Sequence, residues 1–154
     1  MKKKTKKVLF AILYWSISLT WGLPLSLIGL MVAGFCIVFL KGKPHKNGCT
    51  FIVEIGGNWG GLELGCTAIC GNYSTTDVAW YEHTRRHEFG HSLQHLILSV
   101  FFLPIIGIPS AIRYWYQRIR TSKGLPNKPY DSAWYEGGAS RWGTKVINWY
   151  ESKQ

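Results

Sequence analysis

Two histidines four residues apart, His87 and His91, enclose Glu88 in a pattern whose residue types suit hydrolytic chemistry. On a helix, residues with this spacing share one face, so both imidazoles can bind one Zn²⁺ at about 2.0–2.1 Å. Glu88 follows the first histidine, where it can polarise a metal-bound water and pass the proton to a leaving amine. The pattern predicts a zinc site that hydrolyses peptide bonds, with Glu88 as the general base.

A catalytic zinc site commonly needs a third protein ligand, and the sequence offers several. Ile97 occupies the position where the metzincin pattern requires a further histidine. His95 continues the helical stripe one turn beyond the pair and suits a polar contact better, as His83 does on the other side. Asp131 is expected to cap the last helix. Glu136 lies within that helix and is followed by two glycines, so another helix can approach it closely.

Two predicted helices have to bring these residues together. The first covers residues 78–99 and carries the histidines, with N-cap side chains available at Thr75, Thr76 and Asp77. The second starts after a cap at Asp131 or Ser132 and runs to about residue 150. If Glu136 is the third ligand, the active-site helix and the last helix must cross near it.

Two short stretches before the first of these helices have β-strand composition. Residues 49–55 are β-branched and aromatic, residues 56–61 form a glycine-rich turn, and residues 62–64 form a second strand. No Gly-Lys-Ser/Thr follows the glycines, which argues against a phosphate-binding loop. A hairpin combined with helices predicts an α+β domain over residues 47–154, and its histidine motif resembles that of the zincins. Residues 49–55 or residues 62–66 could supply an edge strand for binding substrate backbone.

Residues 8–40 contain no charged side chain and predict a membrane segment. A straight helix of that length, at about 1.5 Å per residue, would overshoot a bilayer core of about 30 Å. Gly22 and Pro24 interrupt the run. Either a tight hairpin returns the chain, or residues 8–21 lie at the interface and residues 24–40 span once. Lysines at both ends favour the hairpin, with the catalytic part on the cytoplasmic side of the cell membrane.

The composition also fits contact with lipid. Hydrophobic residues make up 47 % and charged residues 17 %, with eight Trp and eight Tyr suited to the membrane interface. The net charge is +10, and five lysines directly precede the apolar run. Phospholipid head groups account for them better than nucleic acid does, because no other basic run follows. We therefore assign residues 1–46 to a basic N-terminus and membrane anchor.

The remaining segments have less specific compositions. Residues 96–108 are almost wholly apolar and predict a core helix or a re-entrant segment that dips into the membrane. Another helix follows at residues 111–120. Among the four cysteines, Cys49, Cys66 and Cys70 lie outside the apolar run and are expected to be reduced thiols. An oxidising compartment would be needed for a disulfide.

His-Glu-x-x-His on one helix, followed by Glu-x-x-Ala on a later one, resembles the gluzincin metallopeptidases. The chain looks most like the membrane-associated kind: the CAAX-processing proteases, the bacterial heat-shock membrane proteases and the beta-lactam-sensor proteases. It is also similar in scale to the soluble minigluzincins. The resemblance covers residues 49–150 loosely and the two motifs closely. It implies that His87, His91 and Glu136 bind zinc and that Glu88 is the general base.

The chain departs from that family at one position. The family usually has Asp four residues after the ligand glutamate, where it orients a ligand histidine, and Ser140 stands there. A serine hydroxyl can make the same bond. An oxyanion donor is expected from a tyrosine that flanks the ligand helix; Tyr130 is preferred over Tyr135.

Two alternatives to a membrane-surface peptidase remain. One is an intramembrane protease of the site-two kind, although Arg85 and Arg86 before the motif argue against burial of the active helix in lipid. Asn127, Pro129 and Asp131 match the Asn-Pro-Asp signature of the site-two proteases only weakly. The other is a membrane protein of scaffold or immunity type that retains a metal site without turnover. A peptide or protein substrate is the expected partner, and oligomeric state is left open.

Overall fold

The computed structural model describes residues 2–152. Residue 1 of the predicted membrane anchor and residues 153 and 154 of the predicted zincin-like domain lie outside the described residues. The described chain is α+β, as predicted. Its helices are α1 (Lys3–Ser18), α2 (Leu23–Phe39), α3 (Val78–Leu98), α4 (Ile108–Ser122) and α5 (Trp134–Glu151). Its strands are β1 (Lys43–Asn47), β2 (Thr50–Glu54), β3 (Gly61–Leu64) and β4 (Thr67–Cys70). Short helical turns lie at Ser99–Phe101, Leu103–Gly107 and Tyr130–Ser132.

The four strands form one sheet in the order β1-β2-β4-β3. The predicted hairpin between residues 49–55 and 62–64 is wrong, because β4 lies between β2 and β3. β2 pairs with β4 in parallel, and the two outer pairs, β1–β2 and β3–β4, are antiparallel. β4 has only four residues, all buried, so no polar alternation reveals it. β1 contains Lys43 and Pro44, which are typical of an edge strand and weaken its strand signal.

The helix α3, which carries the histidines, starts where the sequence predicts. The Asp77 carboxylate accepts a hydrogen bond from the backbone N–H of Trp80 at 3.2 Å and caps the helix. The end of α5, at Glu151, also agrees with the prediction. Its predicted cap is wrong: Ala133 is the N-cap residue and no side chain caps the helix. Asp131 lies in the preceding turn, and its carboxylate accepts from Ser140 instead.

α3 and α5 cross at very close range because glycines remove the side chains at the contact. A Cβ at Gly90 would collide with the carbonyl group of Ala139, and one at Gly143 would collide with the carbonyl oxygen of Arg86. Gly137, which the sequence suggested for this crossing, instead faces the carbonyl oxygen of Asp131. This close crossing lets the side chain of Glu136 in α5 reach His87 and His91 in α3.

The N-terminal helices pack directly on the rest of the fold. The buried ring of Tyr14 in α1 stacks on Phe89 in α3, with centroids 6.0 Å apart. Trp15 donates its indole N–H to the carbonyl oxygen of Cys49 at 3.0 Å. α1 and α2 meet at a bend of 100°. The helix α3 is thus supported by α1.

Among the described residues, no individual helix combines the length and apolar character needed to cross a membrane. Two bent pairs satisfy that test together: α1 with α2, and residues 78–101 with residues 103–122. Within the predicted apolar segment 96–108, Phe102 and Ile106 are buried in a cluster with Leu25. All four cysteines are free.

Candidate metal centre

Three buried side chains converge between α3 and α5. Nε2 of His87 lies 3.0 Å from Nε2 of His91, and each of these nitrogens lies 3.1 Å from Oε2 of Glu136. The two histidines come from successive turns of α3, and the glutamate comes from the first turn of α5. The structure therefore brings together the three residues that the gluzincin resemblance implies as ligands. We call them the three-residue cluster.

The donors of the three-residue cluster fit a metal ion. Two imidazole nitrogens and one carboxylate oxygen form a set that suits divalent transition metals, zinc among them. Oε1 of Glu136 is buried and has no hydrogen-bond partner within residues 2–152. A buried carboxylate oxygen without a partner is costly. A cation coordinated by both carboxylate oxygens of Glu136 would satisfy Oε1.

The negative charge of the Glu136 side chain also favours the binding of a cation. Burial would raise the pKa of Glu136, but hydrogen bonds from His87 and His91 outweigh it and hold this pKa well below its usual range. Burial lowers the pKa of His87, whereas the Glu136 and Glu88 carboxylates raise it, with a net upward shift. Glu136 is thus ionised and binds a protonated ring nitrogen, so a bound cation would displace that proton.

The other ring nitrogen of His87 is held by a chain of two hydrogen bonds. Nδ1 lies 2.8 Å from Oγ of Ser140, and the Ser140 hydroxyl donates to Oδ1 of Asp131 at 3.1 Å. Ser140 thus makes the contact that the sequence allowed for it. Asp131 was expected only as a helix cap or a ligand, and its position behind Ser140 was not foreseen.

His91 has a different partner, which sequence reasoning missed. Nδ1 of His91 lies 2.8 Å from Oε1 of Gln94, and the Gln94 amide donates to the backbone carbonyl of Tyr135 at 2.8 Å. The signal available in sequence was spacing, since a glutamine three residues after a histidine lies on the same face of a helix. Both histidines therefore turn Nδ1 towards protein groups and Nε2 towards Glu136.

Glu88 is buried beside the sheet. A Cβ at Gly61 in β3 would lie 2.6 Å from Oε1 of Glu88, so any larger residue at position 61 would displace this carboxylate. Burial raises the pKa of Glu88; the His87 and His91 rings lower it in part. Glu63 is a further buried carboxyl near Glu88, and neither of its oxygens has a hydrogen-bond partner in the described chain. Burial and the Glu88 charge raise the pKa of Glu63.

Tyr130 lies at the edge of the cluster. Its ring centroid is 5.9 Å from that of His87, and its hydroxyl is 3.2 Å from Oγ of Ser110. The guanidinium of Arg113 lies 5.7 Å from the Tyr130 ring centroid. Burial and the Glu136 carboxylate raise the pKa of Tyr130, so the phenol keeps its proton as a hydrogen-bond donor.

Comparisons with known proteins give no relatives. No protein-family model, no curated protein and no solved structure matches the chain. The function of the site is therefore inferred from its own residues and their geometry.

The remaining histidines of α3 lie outside the three-residue cluster. His95 is fully buried against Gly22, where a Cβ would lie 2.5 Å from its Cε1 atom, and burial lowers its pKa to about 4. His83 is exposed, and its ligand atom falls within 4.8 Å of those of His87 and Asp131. These three form a second grouping on the outer side of the His87 ring.

Proposed function

We propose that this chain is a membrane-anchored zinc metallopeptidase that hydrolyses peptide bonds in a peptide or protein substrate. The observation that supports it best is the convergence of the two histidine Nε2 atoms and Oε2 of Glu136 within 3.0–3.1 Å of one another, beside Glu88. His87, His91 and Glu136 would hold the ion. Bound zinc would polarise the scissile carbonyl and lower the pKa of a water molecule.

The chain's own residues would then move protons and hold charge. Glu88 would take the proton of the attacking water and deliver it to the leaving amine, because it lies directly beside the ligand His87. Tyr130 would donate its hydroxyl hydrogen to the oxygen that becomes negative in the transition state. β3 lies at the sheet edge next to Glu88, so substrate backbone would bind along it as an added strand.

Membrane attachment is supported by the apolar surface of α1 and α2. Large side chains such as Leu13, Met31 and Phe39 are mostly exposed to solvent, which is unfavourable unless lipid covers them. The lysines at both ends of this region would keep the catalytic part on the cytoplasmic side. A reporter fused after the last residue and active only outside the cytoplasm should stay silent, and a strong signal would refute this orientation.

A substitution at Glu88 tests the enzymatic proposal. Full-length protein in detergent is incubated with a library of quenched fluorescent peptides containing all residue types. Glu88→Gln should abolish cleavage while keeping the metal, because an amide cannot accept the proton of water. Glu82→Gln, the same change on the same helix at a residue paired with Arg85 and Arg86, is the matched control and should remain active.

Two outcomes would contradict the proposal. Cleavage that survives Glu88→Gln would exclude Glu88 as the base. Wild-type protein that binds zinc yet cleaves no peptide in the library would favour the non-catalytic metal-binding membrane protein instead.

A further inference from the structure

α4 is unusual among the helices because none of its residues is buried. Four large apolar side chains are spaced four, three and four residues apart, which places them on one face. They are Ile108, Ile112, Trp115 and Ile119, each 52–64 % exposed. We call this face the α4 stripe. Nothing in residues 2–152 covers it.

Exposed apolar side chains also precede the α4 stripe along the chain. Ile97, Phe101 and Ile105 are exposed in the segment that leads from α3 into α4. Trp21, also exposed, donates its indole N–H to the carbonyl oxygen of Ile97 at 3.4 Å. The end of α3 thus adjoins the connection between α1 and α2, where the proposed membrane anchor bends.

Arginines border the α4 stripe, and no carboxylate among residues 2–152 pairs with them. α4 contains no Asp or Glu. Arg113, Arg118 and Arg120 donate to the carbonyl oxygens of residues 129, 58 and 126, and none of the three forms an ion pair within the described residues. An apolar face with arginine borders is typical of a helix that lies in a membrane interface.

We propose that α4 lies in the plane of an anionic lipid leaflet, with the α4 stripe in the acyl region and the arginines at the level of the phosphates. At about 1.5 Å per residue, 15 residues reach about 22 Å, short of a bilayer core of about 30 Å. A spanning orientation would also place Arg113 or Arg118 in hydrocarbon. A second copy fits the face less well, because it presents the same arginines and a net charge of +10.

This inference rests on the proposed membrane attachment and not on peptide hydrolysis. It has one structural consequence for the candidate metal centre. Arg113 donates from Nε to the carbonyl oxygen of Tyr130 at 3.1 Å and lies over the Tyr130 ring. A docked α4 would hold Tyr130, and with it the centre, close to the lipid surface. The candidate metal centre would then reach peptide bonds that lie close to the membrane surface.

The test measures the depth of two positions on opposite faces of α4. An environment-sensitive fluorophore is attached to Ile112→Cys or to Thr121→Cys, which is nine residues further and half a turn around the helix. Full-length protein is reconstituted into vesicles of phosphatidylcholine and phosphatidylglycerol, with or without bromine in the acyl chains. Brominated lipid should strongly quench the label at 112 and leave the label at 121 bright. The wild-type chain, treated identically, corrects for labelling of the four native cysteines.

Several outcomes would overturn the proposal. Equal quenching at both positions would mean that α4 spans the bilayer, and bright labels at both, on protein that floats with vesicles, would mean that lipid does not cover the α4 stripe. If the emission of the label at position 112 shifts to the blue without vesicles, and the shift increases with protein concentration, a second copy of the chain is the partner. Quenching at 112 that is undiminished in pure phosphatidylcholine would refute the role of the arginines. Protein that fails to float would refute membrane attachment itself, independently of any peptidase result.

Discussion

Nδ1 of His87 lies 2.8 Å from Oγ of Ser140, at the position where the gluzincin resemblance leads one to expect an aspartate. The negative charge is present nonetheless, one hydrogen bond further away, because the Ser140 hydroxyl donates to Asp131. Ser140 and Asp131 together thus occupy the place of a single aspartate that orients the ring.

The first prediction concerns the affinity of this centre for zinc. Ser140→Ala should weaken zinc binding by about 10- to 100-fold, the usual effect of removing a partner of a ligand histidine. Asp131→Asn should weaken it less, because the Ser140 contact remains. Competition with a chelator of known affinity measures both variants.

Ser140→Asp is the informative rescue for that experiment. It places a carboxylate next to Nδ1 of His87 and should restore affinity even when Asp131 is replaced by Asn. If Ser140→Ala binds zinc as tightly as the wild type, the serine contact has no role in the site.

A second prediction concerns Tyr130. Tyr130→Phe removes a hydrogen bond that would form only in the transition state, so kcat should fall by about 10²–10³-fold while zinc content is unchanged. Tyr135→Phe is the matched control, because the Tyr135 ring packs on an apolar cluster and only its backbone carbonyl contacts the site, through Gln94. Equal losses in the two variants would contradict the assignment of Tyr130.

A third prediction concerns stability against pH. The buried Glu54 carboxylate accepts hydrogen bonds from the backbone N–H and hydroxyl of Ser74, at 3.2 and 2.8 Å, and lies 2.7 Å from Nε2 of His45. Burial would raise the pKa of Glu54, but these bonds lower it more, so the net shift is downward. Because the folded-state pKa is below the unfolded value of about 4.3, the stabilisation is present above that pH and is lost as pH falls.

Glu54→Gln should therefore lower the free energy of unfolding by about 1–3 kcal/mol at neutral pH, and the difference from the wild type should shrink below about pH 4. Thermal unfolding of the wild type and of Glu54→Gln, followed at several pH values in one detergent, measures this difference in the free energy of unfolding. A difference that stays constant down to pH 3 would show that ionised Glu54 contributes nothing.

The parts of the structure that sequence predicted are those governed by local spacing. His87 and His91 share a face because they are four residues apart, and Asp77 caps α3 because it directly precedes it. The placement of Glu136 near them was implied by the gluzincin resemblance and not by its spacing. The close crossing depends on Gly90 and Gly143, and their contact partners are visible only in three dimensions.

The parts that sequence did not predict depend on tertiary packing. β4 is a strand because β2 and β3 flank it, although four residues such as Thr67–Cys70 carry little intrinsic signal. Asp131 looked like a helix cap because capping is the commonest role of such a residue. It lies in a turn that points it towards Ser140, nine residues along the chain, and no local rule predicts that contact.

Zinc binding by His87, His91 and Glu136 is the central claim, and metal analysis of purified full-length protein tests it most directly. Detergent-purified wild type, dialysed against a weak chelator, should retain about one Zn²⁺ per chain. His87→Ala, His91→Ala and Glu136→Gln should each lose most of it. His83→Gln is the control for the second grouping, which His83 forms with His87 and Asp131, and should leave the zinc content unchanged.

His95→Gln should also retain zinc, because His95 packs against Gly22 and lies outside the three-residue cluster. Elemental mass spectrometry on monodisperse fractions gives the zinc-to-protein ratio for every variant. We predict a ratio near one for the wild type, His83→Gln and His95→Gln, and near zero for the three ligand variants. Zinc fully retained in both His87→Ala and His91→Ala, or absent from the wild type after supplementation, would contradict the claim.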